Sequence, residues 1–129
     1  MLDRIFGGDT FAATTQALDA SSLRQQVISH NLANVNTPGF KRQEVVFEDR
    51  LSRALAQQKT PGGRAIGEPI SGIHASVTTV NDTGERADGN NVNIEEENVK
   101  LAINTLRFET LSQSVGGYFS GLKAVINGR

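Results

Sequence analysis

Two histidines, His30 and His74, are the side chains of this sequence best suited to proton transfer near neutral pH. Catalysis by either would also need a positioned acid, base or nucleophile, and no motif places such a partner at a recognisable spacing. The chain contains no cysteine, which excludes disulfides, thiolate zinc sites and cysteine nucleophiles. We therefore expect structural or solvent-facing roles for both histidines and predict that the chain is not an enzyme.

Two further segments invite a ligand-binding interpretation. The glycine-rich segment 62–67 suggests a phosphate loop, but it runs into Glu68 instead of the required Lys and Ser or Thr. The acidic stretch 82–97 suggests a calcium loop, whose sixth position must be Gly. The two acidic starting points place Ala87 or Asn93 there. The sequence thus predicts no cofactor and no metal site.

Size and charge narrow the function further. A chain of 129 residues has the usual size of one folding domain. Its 13 basic and 14 acidic side chains leave a net charge of −1, without the basic surplus that nucleic-acid binding requires. No apolar run is long enough to span a membrane, and none of the signal-peptide kind stands near the N-terminus. We predict no nucleic-acid partner, no small-molecule substrate and no Sec signal peptide.

The secondary-structure elements that we expect to carry the function lie at the two ends of the sequence. Apolar residues recur at threes and fours from residue 10 to residue 35, which predicts one long helix. A seven-residue apolar repeat follows from Asn93, which has the spacing of an N-cap to Glu96, to about residue 127. The fold class we predict is mainly α, an elongated two-helix coiled coil of the N- and C-terminal helices with a short helix, strand and loop between them.

The domain boundaries follow from this pattern. Residues 1–37 and 92–129 form the predicted helical coiled-coil domain, and residues 38–91 form a central connector that is partly mobile. Within the connector we expect a short helix over 45–57, a strand over 71–80 and a mobile loop over 58–70.

The C-terminal helix has two apolar faces. The predicted intrachain seam is formed by Leu101, Phe108, Leu111, Val115, Tyr118, Leu122 and Val125. The outer stripe, which faces away from that seam, is formed by Val99, Ile103 and Leu106. One partner helix cannot cover both faces. We therefore expect the outer stripe to contact neighbouring subunits.

Three glycines lie near the end of this helix, Gly116, Gly117 and Gly121. Glycine within a helix lowers its stability, so their presence calls for an explanation. A kink or weak point is one explanation. We favour the other, a close approach of Gly117 and Gly121 to the alanines of the first helix.

Residues 29–41 carry a family resemblance. They read SHNLANVNTPGFK and resemble the N-terminal signature of the bacterial flagellar rod and hook proteins, an Asn-x-x-Asn-x-x-Thr-x-Gly-Phe run that closes a long helix. The matching residues are Asn31, Asn34, Thr37, Gly39 and Phe40. Residues 88–93 and the heptad helix that follows look like the short proximal-rod members of this family.

This resemblance implies a structural subunit of the proximal rod in the flagellar basal body, which assembles helically and transmits torque from the motor to the hook. It implies export through the flagellar type III apparatus and a periplasmic location. It implies as partners further copies of the chain, the rod proteins FlgC, FlgF and FlgG, the base-joining protein FliE, and the proteins of the MS ring and the export gate.

Two alternatives stay open at this point. Within the family, the chain could be an FlgC-type rod subunit, although the central sequence favours the other short proximal-rod protein. Outside the family, a cytosolic helical coiled-coil adaptor or chaperone would have similar helices and would need no export.

Overall fold

The computed structural model describes residues 8–58, 69–81 and 86–128. Three helices are present in these ranges, α1 (Gly8–Ala33), α2 (Glu48–Gln58) and α3 (Ile94–Ile126). Two strands, β1 (Gln43–Val46) and β2 (Ser76–Thr79), form an antiparallel ribbon, and a single 3-10 turn spans Ile70–Gly72. Most of the predicted loop over 58–70, the glycine-rich segment 62–67 and the turn residues 82–84 lie outside the described residues.

The two long helices pack antiparallel. The ring of Phe11 stacks on Tyr118 with centroids 4.5 Å apart, and the amide of Asn104 donates to the carbonyl of Ser21 at 2.9 Å. The start of α1 therefore lies beside the end of α3. This pairing confirms the predicted mainly α architecture with two terminal helices against each other.

Both ends of α3 are fixed by side-chain and glycine chemistry. The Asn93 side-chain oxygen accepts hydrogen bonds from the backbone N–H groups of Glu95 and Glu96 at 3.0 and 3.3 Å, which confirms the predicted N-cap. The helix ends at Asn127, followed by Gly128 with φ +67°. Its 33 residues give a length of about 50 Å.

The predicted helix over 45–57 and strand over 71–80 need correction. Val45 and Val46 belong to β1, where they pair with Val77 and Ser76, and the helix begins only at Glu48. β-branched side chains favour the extended pairing, whereas two acidic residues favour a helix start at 48. The strand is confined to 76–79 because the 3-10 turn occupies the beginning of the predicted segment.

The apolar core is small and lies to one side of the helix pair. Ala20 of α1, Phe47, Ala54 of α2 and Ile73 form it, with Ala17, Leu51 and Ala75 partly buried around them. Much of α3 projects beyond this core. Among the helices of the described ranges, none has the length and apolar character that a membrane crossing requires.

Candidate assembly site

The end of α1 is held by one buried asparagine from a distant part of the chain. The Asn90 amide nitrogen donates to the carbonyls of Asn34, Val35 and Thr37 at 2.9, 3.2 and 2.8 Å, and its oxygen accepts from the Val92 N–H at 2.8 Å. Asn90 has no solvent exposure. These carbonyls belong to the turn that directly follows α1, and the buried amide supplies a hydrogen-bond donor to all three of them.

The neighbouring asparagine joins the two strands. The Asn91 side-chain oxygen accepts from the Arg42 N–H at 2.6 Å, and its nitrogen donates to the Val80 carbonyl at 2.7 Å. The Arg42 carbonyl in turn accepts from the Val80 N–H at 2.9 Å. The Asn91 amide therefore extends the β1–β2 ladder by one side chain and ties the segment before α3 to the ribbon.

Asn31 of α1 binds both the ribbon and α3. Its side-chain oxygen accepts from the Gln43 N–H at 2.9 Å, and its nitrogen donates to the Gln43 carbonyl at 2.8 Å. The same nitrogen donates to Oε2 of Glu97 at 2.9 Å. We call the region where residues 31–43 meet residues 86–97 the junction, and Asn31, Asn90 and Asn91 are its cross-links.

The other residues of the motif lie in the same place. The Thr37 hydroxyl donates to the Asn34 side-chain oxygen at 3.1 Å, and Gly39 adopts φ +71° in the turn after Pro38. The Gly39 N–H donates to the carbonyl of Asp88 at 2.8 Å. The motif thus closes α1 and receives the segment that leads into α3.

The two histidines both lie at the surface of the described structure. The ring of His30 is exposed and contacts Phe40 edge-on at 5.4 Å between centroids. His74 is exposed as well, and its carbonyl accepts a hydrogen bond from Arg50 at 3.0 Å. Within the described ranges, no three His, Cys, Asp or Glu side chains come close enough together to hold a metal ion.

Charged side chains line the junction on the α3 side. Glu97 is buried, and its second oxygen accepts from the ammonium of Lys100 at 3.0 Å. Lys100 also reaches Glu44 of β1 at 3.3 Å, and Glu44 pairs with Arg42. Burial raises the pKa of the Glu44 carboxyl, but the hydrogen bonds and charges of Arg42 and Lys100 outweigh it, so that the pKa lies below its ordinary value.

The packing of α3 buries two polar side chains, Glu97 and Asn104. Glu97 is one of three acidic residues in the first turn of α3, and its burial against Asn31 depends on the antiparallel packing of the two long helices. Asn104 left a signal, since it is the one polar residue in the heptad pattern. Asn104 is buried, and its nitrogen also donates to the Gln25 side chain at 2.9 Å, while its oxygen has no hydrogen-bond partner among the described residues.

The predicted seam residues differ in burial along α3. Those that are partly buried are Leu101, Leu111, Val115, Tyr118 and Leu122. Phe108 is 41% exposed, and Val125 is exposed at the end of the helix. The role of these residues as a seam within one subunit stays a prediction for the assembled protein.

The outer stripe faces solvent in the single chain. Val99, Ile103 and Leu106 are 59%, 46% and 65% exposed. Water-exposed apolar side chains clustered on one helix face mark an interaction surface more often than isolated ones do. Their contact with neighbouring subunits stays a prediction.

The expected close approach of Gly117 and Gly121 to α1 is wrong for the single chain. A Cβ atom added at either position, or at Gly116, would meet nothing within 4 Å. The alanine face of α1 is directed elsewhere, because Ala17 and Ala20 pack on the core around Phe47.

Comparison with known proteins identifies the family. The family profile described as "Flagella basal body rod protein" matches residues 13–41, which include most of α1 and the motif. The flagellar basal body rod protein FlgB of Bacillus subtilis is 32% identical over 96% of this chain and 97% of its own length. FlgB of Borrelia hermsii is 31% identical over 84% of this chain and 89% of its own length.

A different rod protein matches over a shorter region. The flagellar basal-body rod protein FlgG of Buchnera aphidicola is 46% identical over 54 residues, 42% of this chain and 20% of its own length. The similarity to this second protein is local, whereas the similarity to FlgB extends over nearly the whole chain. The chain therefore belongs to the FlgB family of flagellar basal body rod proteins.

Proposed function

We propose that this chain is a structural subunit of the proximal rod, which assembles helically and transmits torque from the motor to the hook. The observation that carries the proposal is the outer stripe. Val99, Ile103 and Leu106 are left exposed by the described residues, on a helix whose position is fixed by the junction, and a neighbouring subunit would cover them.

The arrangement of the apolar surface suits a helical assembly. The outer stripe and the exposed end of α3 lie on different parts of the same long helix. Contacts between unlike surfaces of identical subunits do not close on themselves as a symmetric dimer does, and they generate rings or open helices. A rod built of such subunits carries torque through its packed helices.

The two parts of the chain have different roles in this proposal. We assign residues 1–37 and 92–129 to the helical domain that packs into the inner tube of the rod. Residues 38–91 serve as the connector, whose ribbon is tied to both long helices by Asn31 and Asn91.

The partners and the route to the rod belong to the proposal too. The match to FlgG supports contact with other rod proteins such as FlgC, FlgF and FlgG. We place the base-joining protein FliE, the MS ring and the export gate at the other end of the subunit stack. Export through the flagellar type III apparatus would deliver the chain to the periplasmic rod without a Sec signal peptide.

A complementation experiment tests the function. A flagellated host that lacks its own FlgB-type protein receives the full chain, and secretion, basal-body composition and swimming are measured. We expect the chain to cofractionate with basal bodies and to restore swimming only when the flagellar export apparatus is intact. A cytosolic adaptor or chaperone would stay inside the cell in either background, and that result would overturn the proposal.

A further inference from the structure

An apolar groove lies between the short helix and the long C-terminal helix. Residues of α1, α2 and α3 line it, together with Phe47 just before α2. The apolar lining consists of Ala17, Phe47, Leu51, Ile103, Leu106 and Leu111. At the edge of the groove, Nη2 of Arg24 donates to both carboxylate oxygens of Glu48, at 2.7 and 2.8 Å. Three helices thus surround a space with the chemistry that receives an amphipathic helix.

The chain carries a helix that fits this chemistry at the far end of α3. Residues 119–126, which we call the tip, expose Phe119 at 56%, Val125 at 76% and Ile126 at 82%. Phe119, Leu122 and Ile126 follow the i, i+3, i+7 spacing of side chains that insert into such grooves. Within the described residues, Phe119 contacts Phe11 edge-on at 5.8 Å between ring centroids and Leu122 is partly buried, whereas Val125 and Ile126 remain mostly in solvent.

The groove edge carries one carboxylate and two guanidinium groups, and the tip carries one ammonium group. Between Thr110 and Gly128 the sequence has one charged residue, Lys123, and no carboxylate. The groove edge presents Glu48, whose side chain keeps 58% of its surface exposed beside Arg24 and Arg107. A tip without acidic groups can approach this carboxylate without like-charge repulsion.

The groove and the tip of one chain cannot meet each other. Both are parts of α3, and the 20 residues from Leu106 to Ile126 extend about 30 Å along a continuous helix. A tip that occupies the groove must therefore come from a second copy. Because groove and tip are different surfaces, the contact is head-to-tail, and one copy can both give and receive it.

We propose that the groove between α2 and α3 binds the tip of α3 from a neighbouring copy of this chain. This inference rests on the proposed function as a self-assembling subunit and names the two surfaces in contact. The incoming helix adds a fourth helix beside α1, α2 and α3, and it covers Ile103 and Leu106 of the outer stripe together with Leu51.

Introduced cysteines test the contact directly because the natural chain has none. Full-length Leu51→Cys and Ile126→Cys variants, each with a different affinity tag, are mixed at high concentration and oxidised. Matched controls replace one partner by its neighbour on another face, Ser52→Cys on α2 or Ala124→Cys on α3. We expect the Leu51–Ile126 pair to form about tenfold more mixed disulfide than either control pair, given the burial of one such side chain.

A second measurement avoids disulfide chemistry. Ile126→Asp should weaken concentration-dependent self-association in sedimentation by about tenfold, while Ala124→Asp changes it little. Helical circular dichroism of both variants shows whether the chain is still folded. Equal cross-linking of target and control pairs, or none in the target pair, would overturn the inference, as would an unchanged association of Ile126→Asp.

The same cysteines in assembled basal bodies separate this inference from the proposed function. In one outcome, the chain is secreted and incorporated, but Leu51→Cys cross-links solely to a different rod protein. That result would leave the proposed function intact and overturn the contact between copies. A mixed Leu51–Ile126 disulfide in purified protein that is never secreted would support the contact and overturn the rod assignment.

Discussion

The buried carboxylate of Glu97 accepts a hydrogen bond of 2.9 Å from the amide of Asn31, although 66 residues separate the two in sequence. The bond joins the first long helix to the first turn of the last one. Asn31 simultaneously holds the backbone of Gln43 on both its N–H and its carbonyl. One side chain therefore fixes the position of α1, the ribbon and α3 relative to one another.

Removal of the Asn31 amide should destabilise the whole chain. Asn31→Ala leaves Glu97 and both backbone groups of Gln43 with fewer partners in a buried place, and we expect a loss of about 3 kcal/mol in the free energy of unfolding. Asn31→Asp should cost at least as much, since it puts a second negative charge beside Glu97. Urea unfolding measures both. The exposed Asn98→Ala serves as control, and an equal loss there would contradict the cross-linking role of Asn31.

Two glycine substitutions should shift stability in opposite directions. Gly39 has φ +71° and open space around a Cβ, so Gly39→Ala should cost about 1 kcal/mol through backbone strain alone. Gly121 lies within α3 with equally open space, so Gly121→Ala should gain about 1 kcal/mol through helix propensity. Thermal unfolding of the purified chain measures both. A loss at Gly121 in dilute protein would mean that the position is already packed.

Stability should fall in acid partly through Glu44. Its pKa in the folded chain lies below the ordinary 4.5, so the folded state binds the proton more weakly than the unfolded chain. The stabilisation is present above pH 4.5 and is lost as the pH falls through the lower folded value. Glu44→Gln should therefore reduce the free energy of unfolding at pH 7, and the difference from the parent chain should shrink as the pH falls below 4.5.

Salt provides the control for this prediction. Glu44 and Lys100 keep 42% and 35% of their side-chain surface exposed, so their attraction is screened by added salt. At pH 7, the difference in the free energy of unfolding between the parent chain and Glu44→Gln should be smaller in 1 M NaCl than in dilute buffer, because salt screens a partly exposed ion pair. A difference that grows in acid would contradict the sign of the shift.

A charge placed on the outer stripe should separate folding from assembly. Leu106→Asp adds a carboxylate to a side chain that is already exposed, and we expect a change in the free energy of unfolding within about 0.5 kcal/mol. The same variant should abolish or strongly reduce swimming in the complemented host, because the charge would be buried against a neighbour. Thr105→Asp, one residue along and on another face, should retain swimming. Equal motility of both variants would argue against an outer-stripe contact.

Local sequence features determined the two long helices, the cap at Asn93 and the turn at Pro38 and Gly39. Each depends on interactions within a few residues, such as apolar periodicity, an amide that bonds nearby N–H groups, or a glycine that tolerates positive φ. The motif from Asn31 to Phe40 was visible for the same reason, as was the outer stripe of Val99, Ile103 and Leu106.

Tertiary packing decided what these residues contact. Val45 and Val46 form part of a strand because Val77 and Ser76 pair with them. The pairing residues lie about 30 positions away, outside the segment 45–57 from which the helix was predicted. Glu97 became a buried cross-link, and Gly117 and Gly121 were left open, because the core around Phe47 set the direction of the α1 alanine face. Contacts between residues far apart in sequence depend on how whole elements pack, and that packing is a property of the folded chain and not of any local pattern.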